Sequence, residues 1–418
     1  MKMKIKKIKN KFFIGLGMIL SFPSFSQEIS LKDIDRMISK NQLENAAAAL
    51  SQYRENVNEL NDDQKTYLYL LHAQFGVSNY YNSYEADQNK LLAIESLNKV
   101  EELEVKNKVS RYSKKAQSIK NELLAHFVNK AIAETHQNEY IKASRTYFDA
   151  YQLSKKDTLF LYQAAGLALN GKDESFAIEK YKELVQLNYD GRNKIFVATN
   201  TITDEIDTFG KDQKSRDQAV KSGVYTNPQT IEEPSKKFDI YKNLGTLLIN
   251  QSNFSQGESY ILKAYELNPK DLDVVVTIFN MYMQTNRLFK FQEYSIKAVN
   301  DFPDNAQLYY NIGVVYYNLG YTNWAKENFE KGLALQPEDY HLNKAMGSLL
   351  LDEDAVITKK INDLSNSSAN RSKKAELQES KKATYEKILS YFHKAKLAKS
   401  DDKELNQIID ELESFLKK

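Results

Sequence analysis

Apolar residues recur at helical spacing along most of the chain, and between 309 and 337 they define a complete unit. Tyr309, Ile312, Gly313 and Tyr316 fall on one face of a helix. Gly320 breaks that helix, Ala325, Phe329 and Gly332 mark the inward face of a second, and Pro337 ends the unit. Proline suits such a turn because it cannot continue a helix interior. Two antiparallel helices approach closely where a side chain is missing, which predicts contact at Gly313 and Ala325 with Tyr309, Tyr316 and Phe329 filling the space around it.

The unit repeats at a fixed period. Pro269, Pro303 and Pro337 are 34 apart, and Gly245, Phe279, Gly313 and Gly347 form a second ladder in phase with them. Tyr241, Leu244, Gly245 and Leu248, then Gly257, Ile261 and Ala264, make the first of these units; Val275, Ile278, Phe279 and Tyr282, then Ala298, make the next. In that second unit Phe279 and Phe291 stand where small residues are usual, which predicts a wider helix pair. Further upstream, Val128, Ala131, Ile132 and Thr135 recur one period later as Tyr162, Ala165, Gly166 and Leu169, with second helices carrying Ala143, Tyr147, Ala150 and Ala177, Tyr181, Leu184.

This pattern resembles the tetratricopeptide repeat, which reads W-x2-L-G-x2-Y, then A-x3-F, then P. The resemblance implies an all-α fold, a right-handed superhelical solenoid of antiparallel helix pairs whose first helices line a concave groove for a partner protein or peptide. It places Lys242, Thr246 and Asn250, then Val276, Asn280 and Gln284, then Tyr310, Val314, Tyr317 and Asn318, then Lys344, Ser348 and Leu351 on that groove. Tyr310 and Tyr317 suit the role of anchors. Repeats that grip a C-terminal carboxylate need cations at places held here by Val276 and Gln307, although Asn280 and Asn311 fit the asparagine places, so a carboxylate clamp is not expected.

Departures from the period set the domain boundaries. Residues 27–122 read as degenerate helical repeats, with Ala46, Leu50 and Tyr53 on one second helix, Ala93, Leu97 and Val100 on another, and a helix start at Asn61-Asp62-Asp63. No Gly or Pro interrupts 108–135, which predicts one long helix. Two repeats follow at 123–189. Gly166 and Gly245 are 79 apart, leaving about 46 residues beyond one repeat, assigned to an insertion at 190–237. There, 195–199 and 206–209 are β-prone and predict a hairpin, 211–221 a charged helix, and 223–237 an extended stretch with Pro228 and Pro234. Repeats resume at 238–351. Residues 352–387 read as a projecting charged helical hairpin with its tip at 365–372, and 388–418 as the last repeat helix and a cap that starts at Asp401-Asp402.

The N-terminus and the composition narrow the function. Six lysines and no acid lie within 2–11, an apolar run follows from Phe12 to Phe22, and Pro23 precedes Ser24-Phe25-Ser26. That is the layout of a secretory signal peptide over 1–26 with cleavage after Ser26, and it predicts a periplasmic protein. The run is short for a spanning helix, no cysteine is present to carry a lipid or a disulfide, and no membrane segment is expected after cleavage. Removing 1–26 turns the formal charge from +2 to −4, which argues against nucleic acid as a partner. The five histidines are scattered, no nucleophile elbow or phosphate-binding loop occurs, and carboxylates sit where helices expose charge, so no catalytic, metal or cofactor site is expected. These features predict a non-enzymatic scaffold or adaptor of the bacterial cell envelope that binds a partner protein or peptide through the concave groove and the insertions. A periplasmic holdase that binds many peptides competes with it, as does a carbohydrate-binding protein or hydrolase with a site that lacks a motif.

Overall fold

The computed structural model describes residues 29–82, 86–364 and 368–417; the leader expected at 1–26 and its cleavage point lie outside them. The described residues divide into two compact units, one comprising those up to Asn129 with 152–154, the other 130–151 with those from Lys155 onward.

In the first unit, α1 (Leu31–Ser39), α2 (Leu43–Glu55), α3 (Asp62–Tyr81) and α4 (Ala86–Asn107) are followed by the start of α5 (Ser113–His136). Asn61 caps α3 in a capping box: its side chain accepts from Gln64 N–H at 2.9 Å while Gln64 Oε1 accepts from Asn61 N–H at 3.0 Å. Ala46, Leu50, Ala93, Leu97 and Val100 are buried, as their spacing implies. Gly76, unremarked in the sequence, makes the α3–α4 crossing possible: a Cβ there would lie 2.7 Å from Asn89 O. The single helix expected over 108–135 begins later. Lys108 adopts a left-handed conformation (φ 55°) that ends α4, and the buried Glu104 carboxylate accepts from Tyr112 N–H and the Ser113 hydroxyl at the start of α5.

The second unit is a solenoid of antiparallel helix pairs with one small sheet inserted. After α6 (Tyr140–Leu153) come α7 (Leu159–Asn170) and α8 (Glu174–Gln186), then α10 (Lys237–Asn250) with α11 (Phe254–Leu267), α12 (Leu272–Gln284) with α13 (Leu288–Asp301), and α14 (Ala306–Asn318) with α15 (Thr322–Leu335). The long pair α16 (Tyr340–Asp363) and α17 (Ser368–Ala398) precedes α18 (Lys403–Leu416). A continuous core runs from Ile249 to Leu412 through these pairs.

Each repeat's local chemistry is set by residues in register. First helices end on left-handed residues: Asn138 and Lys172 are 34 apart, as are Ser252, Asn286 and Gly320. Glycine and asparagine take that conformation most readily. Second helices end at Asn268, Phe302 and Gln336, whose backbone has left the helical region, as a residue preceding proline tends to do. The next first helix is then capped by Asp271, Asn305 or Asp339, each accepting a backbone N–H three residues on, at 2.9, 2.9 and 2.8 Å.

Glycines mark the close helix crossings. A Cβ at Gly313 would lie 2.6 Å from Phe329 Cδ1 and 3.2 Å from Ala325 O, and one at Gly347 would collide with the Phe392 ring. Phe279 and Phe291 replace such a contact by meeting edge to face, with centroids 5.1 Å apart. Both are buried, and the α12 and α13 backbones approach at fewer points than those of α10–α11 or α14–α15.

The insertion holds β1 (Lys194–Asn200), β2 (Ile206–Thr208), α9 (Gln213–Lys221) and β3 (Tyr225–Glu232). The hairpin and the charged helix match the sequence pattern, but 223–237 is more than an extended stretch: β3 pairs antiparallel with β1 and completes a three-stranded sheet in the order β2-β1-β3. Its prolines and polar residues disguise it. Pro228 is tolerated because β3 is an edge strand, and the register shift opposite Val197/Thr199 coincides with left-handed Asn227. Arg216 of α9 is buried over the Phe196 ring at 5.0 Å and donates to Gln229 O at 2.9 Å. The insertion's two ends are tied together by Lys236 N–H to Asp190 O at 2.6 Å and Glu233 N–H to Asn193 O at 2.9 Å. Thus α8 packs on α10, and one cluster contains Tyr181, Leu184, Ile240 and Leu244 as if no insertion intervened.

Candidate protein-binding surface

The first helices of successive repeats lie side by side, α10 against α12, α12 against α14 and α14 against α16. None of the residues assigned to a groove is buried, although Tyr310, Val314, Tyr317 and Leu351 pack in part against the core. They form columns, with one residue contributed by each repeat. One column is Lys242, Val276, Tyr310 and Lys344; the next is Thr246, Asn280, Val314 and Ser348; the third is Asn250, Gln284 and Asn318, three exposed side-chain amides in line.

The first column does different work from that expected of it. Lys242 Nζ lies 3.0 Å from Asp271, the cap of α12, and 2.8 Å from Asp273. Burial lowers the Lys242 pKa, but the hydrogen bonds to Asp273 and Asp271 outweigh it and the net shift is upward. Lys344 Nζ lies 2.7 Å from Asp402, the cap of α18. The two pairs are the same contact in different repeats. Lys242 and Asp271 are 29 positions apart in the chain and Lys344 and Asp402 are 58; the difference is the extra length of the α16–α17 pair over α10–α11. Hydrogen bonds from Lys344 and then Tyr340 hold the Asp402 carboxyl well below the usual carboxylate range. Lys242 and Lys344 are therefore clasps between neighbouring repeats rather than free cations of a groove. Neither clasp is legible in the sequence, because partners so far along the chain leave no local trace, although the aspartates in cap positions are a usable signal.

The tyrosines are also engaged. Tyr317 donates its hydroxyl to Asp352 of α16, and burial together with that bond pushes its pKa to about 12. Tyr310 is half-buried, its ring 6.2 Å from Phe329 and 5.6 Å from His341. Both rings are held in place, as rigid apolar contacts need to be, but the Tyr317 hydroxyl is already committed. Asn311 accepts from Gln307 at 3.1 Å, so the place where a carboxylate clamp needs a cation holds an amide bonded to its own helix. The positions still presenting uncommitted chemistry are the amide column, Asn280, and the small or aliphatic Thr246, Val276, Val314 and Ser348. No group of three or more His, Cys, Asp or Glu side chains suited to a metal occurs among the described residues. No helix among them is long and apolar enough to cross a membrane.

Two family models for the tetratricopeptide repeat match the chain, over residues 238–271 and 306–339. Both windows coincide with a helix pair and its closing turn, α10–α11 and α14–α15. The chain is a tetratricopeptide-repeat protein. Over 142 residues it is 29% identical to the BBSome complex member BBS4 of Bos taurus, covering 33% of this chain and 27% of that one. It is 28% identical over 122 residues to the human protein O-mannosyl-transferase TMTC3, covering 27% of this chain and 13% of that protein. The chain thus spans a small part of the curated relatives it matches. Among solved structures, YrrB, described as a TPR protein with an unusual peptide-binding site, aligns over 56% of this chain and 95% of its own at 16% identity and a TM-score of 0.37. A tetratricopeptide-repeat protein from Parabacteroides merdae aligns over 82% of this chain and 98% of its own at 13% identity and a TM-score of 0.35. The tetratricopeptide repeats make the chain a scaffold for protein–protein interaction.

Proposed function

We propose that the chain is an exported adaptor of the bacterial cell envelope that holds a partner protein through the first-helix face of its repeats. The observation that carries this reading is the column Asn250, Gln284 and Asn318, exposed on three helices that pack side by side. Packed helices lie about 8–10 Å apart. A polyproline II segment rises about 3.1 Å per residue with three residues per turn and no internal hydrogen bonds, so amides at that spacing can hydrogen-bond its backbone at every third residue, donating and accepting whatever its side chains. Thr246, Asn280, Val314 and Ser348 beside them offer a shallow, mostly uncharged floor. Export rests on the basic, then apolar, then small-residue pattern of 1–26.

A photo-cross-linking residue placed at Asn280, introduced into the full chain in cells, tests both parts. The adaptor reading expects one or a few stoichiometric adducts, lost when Asn250, Gln284 and Asn318 are all replaced by alanine, and found in the periplasmic fraction. A broad smear of unfolded clients points instead to a holdase, and a cytoplasmic adduct overturns export.

A further inference from the structure

The last helix pair outgrows its neighbours. First helices α12 and α14 have 13 residues and α16 has 24; second helices α13 and α15 have 14 and α17 has 31. At 1.5 Å per residue the added turns carry the pair about 16–25 Å past the length of an ordinary repeat. Core packing does not explain the extension. Between residues 355 and 380, Ile361 is the buried hydrophobic side chain among those described, whereas Ile388, Leu389 and Phe392 anchor the inner part.

Charge sets the outer end apart. Lysine and arginine nearly balance acids over the chain, 58 to 56, yet 355–375 holds Lys359, Lys360, Arg371, Lys373 and Lys374 against Asp363 alone. Lys359, Lys360, Arg371 and Lys373 are exposed, and no ion pair involves them among the described residues. By contrast, Lys242, Arg287, Lys290, Lys297, Lys331 and Lys344 on the repeats each have a carboxylate partner.

We propose that the basic end of the α16–α17 hairpin is a docking prong for an acidic segment of a partner protein. Four exposed cations on the ends of two helices outnumber the single acid among them, Asp363, and the Arg371 guanidinium suits two-point recognition of a carboxylate. A membrane fits less well. Stable adhesion to lipid takes an apolar anchor in addition to a basic patch, and no described large apolar side chain from 340 to 396 is exposed. The prong shares with the adaptor reading only the need for a protein partner. It uses none of the amide-column residues, so either can fail while the other stands.

Fluorescence anisotropy of a labelled decaglutamate peptide with the full chain tests it. The variant K359Q/K360Q/R371Q/K373Q changes exposed residues only and should melt like the parent. It is compared with K155Q/K156Q/K270Q/K331Q, which removes equal charge from exposed positions elsewhere. The prong variant should bind about tenfold more weakly, the control like the parent, and parental binding should fall steeply with added salt. Absence of parental binding, or equal loss in both variants, overturns the proposal. So does capture by vesicles that are one-third phosphatidylglycerol, if it depends on these four residues and the peptide does not bind.

Discussion

Gly245 and Gly166 occupy equivalent places in two repeats, yet replacing each by alanine should move stability in opposite directions. At Gly245 a Cβ would stand 2.7 Å from Ile261 N and 3.0 Å from Ile261 Cα. These are backbone atoms of a buried residue and cannot rotate aside. Carbon contacts settle at about 3.5–4.0 Å, so α10 and α11 must part by about 0.5–1 Å, which forfeits a quarter to a half of each van der Waals well along the seam. Overpacking of this kind costs about 1–3 kcal/mol. The helix itself gains about 0.8–1 kcal/mol from losing a glycine. The net expectation for Gly245→Ala is a loss of up to about 2 kcal/mol. At Gly166 the nearest atom is Tyr181 Oη at 3.9 Å, ordinary contact distance. Only the helix gain remains, so Gly166→Ala should stabilise by about 0.5–1 kcal/mol. Urea unfolding followed by circular dichroism gives the global shift, and hydrogen exchange across 240–265 reports the local one, which matters because repeat arrays can open piecemeal. Equal stabilisation by both alanines would refute the claim that Gly245 exists to let two backbones meet.

Three further predictions concern the polar contacts. A double-mutant cycle with Lys242→Met and Asp271→Asn should give a coupling of about 0.5–1 kcal/mol, the ordinary range for a partly exposed pair, and no coupling would remove the clasp. The depressed Asp402 carboxyl contributes stability that is complete above its unfolded pKa of about 4 and is lost as the pH falls toward its lower folded value; Asp402→Asn keeps a capping side chain, so its melting temperature should fall less than the parent's between about pH 5 and pH 2.5, and parallel curves would contradict the assignment. Arg216→Met removes a side-chain donor to Gln229 O and should expose β3 to limited proteolysis while the solenoid's unfolding is unchanged; a global loss would mean that the sheet supports the helices.

The parts of the protein readable without coordinates were those governed by short-range rules. Helix faces follow from residues three and four apart, and the turn between repeats follows from Pro269, Pro303 and Pro337. The crossing at Gly313 was legible because a missing side chain beside Ala325 and Phe329 has one common use. Other left-handed turn residues, Ser252 and Asn286, escaped notice because serine and asparagine also serve as caps and surface residues. The strand β3 escaped because its composition, with Pro228 among polar residues, resembles a loop until β1 supplies the hydrogen bonds.

The repeat period, with its helices, turns and small crossing residues, was determined by the linear order of side chains, since each of these depends on neighbours within one repeat. What tertiary structure decided was the use of the surface. Whether Lys242, Tyr317 or Lys344 faces a ligand or an aspartate of the adjoining helix depends on how one repeat stacks on the next. That stacking joins residues separated by 29, 35 or 58 positions, and electrostatic contact at such separations leaves no periodic signature in the chain.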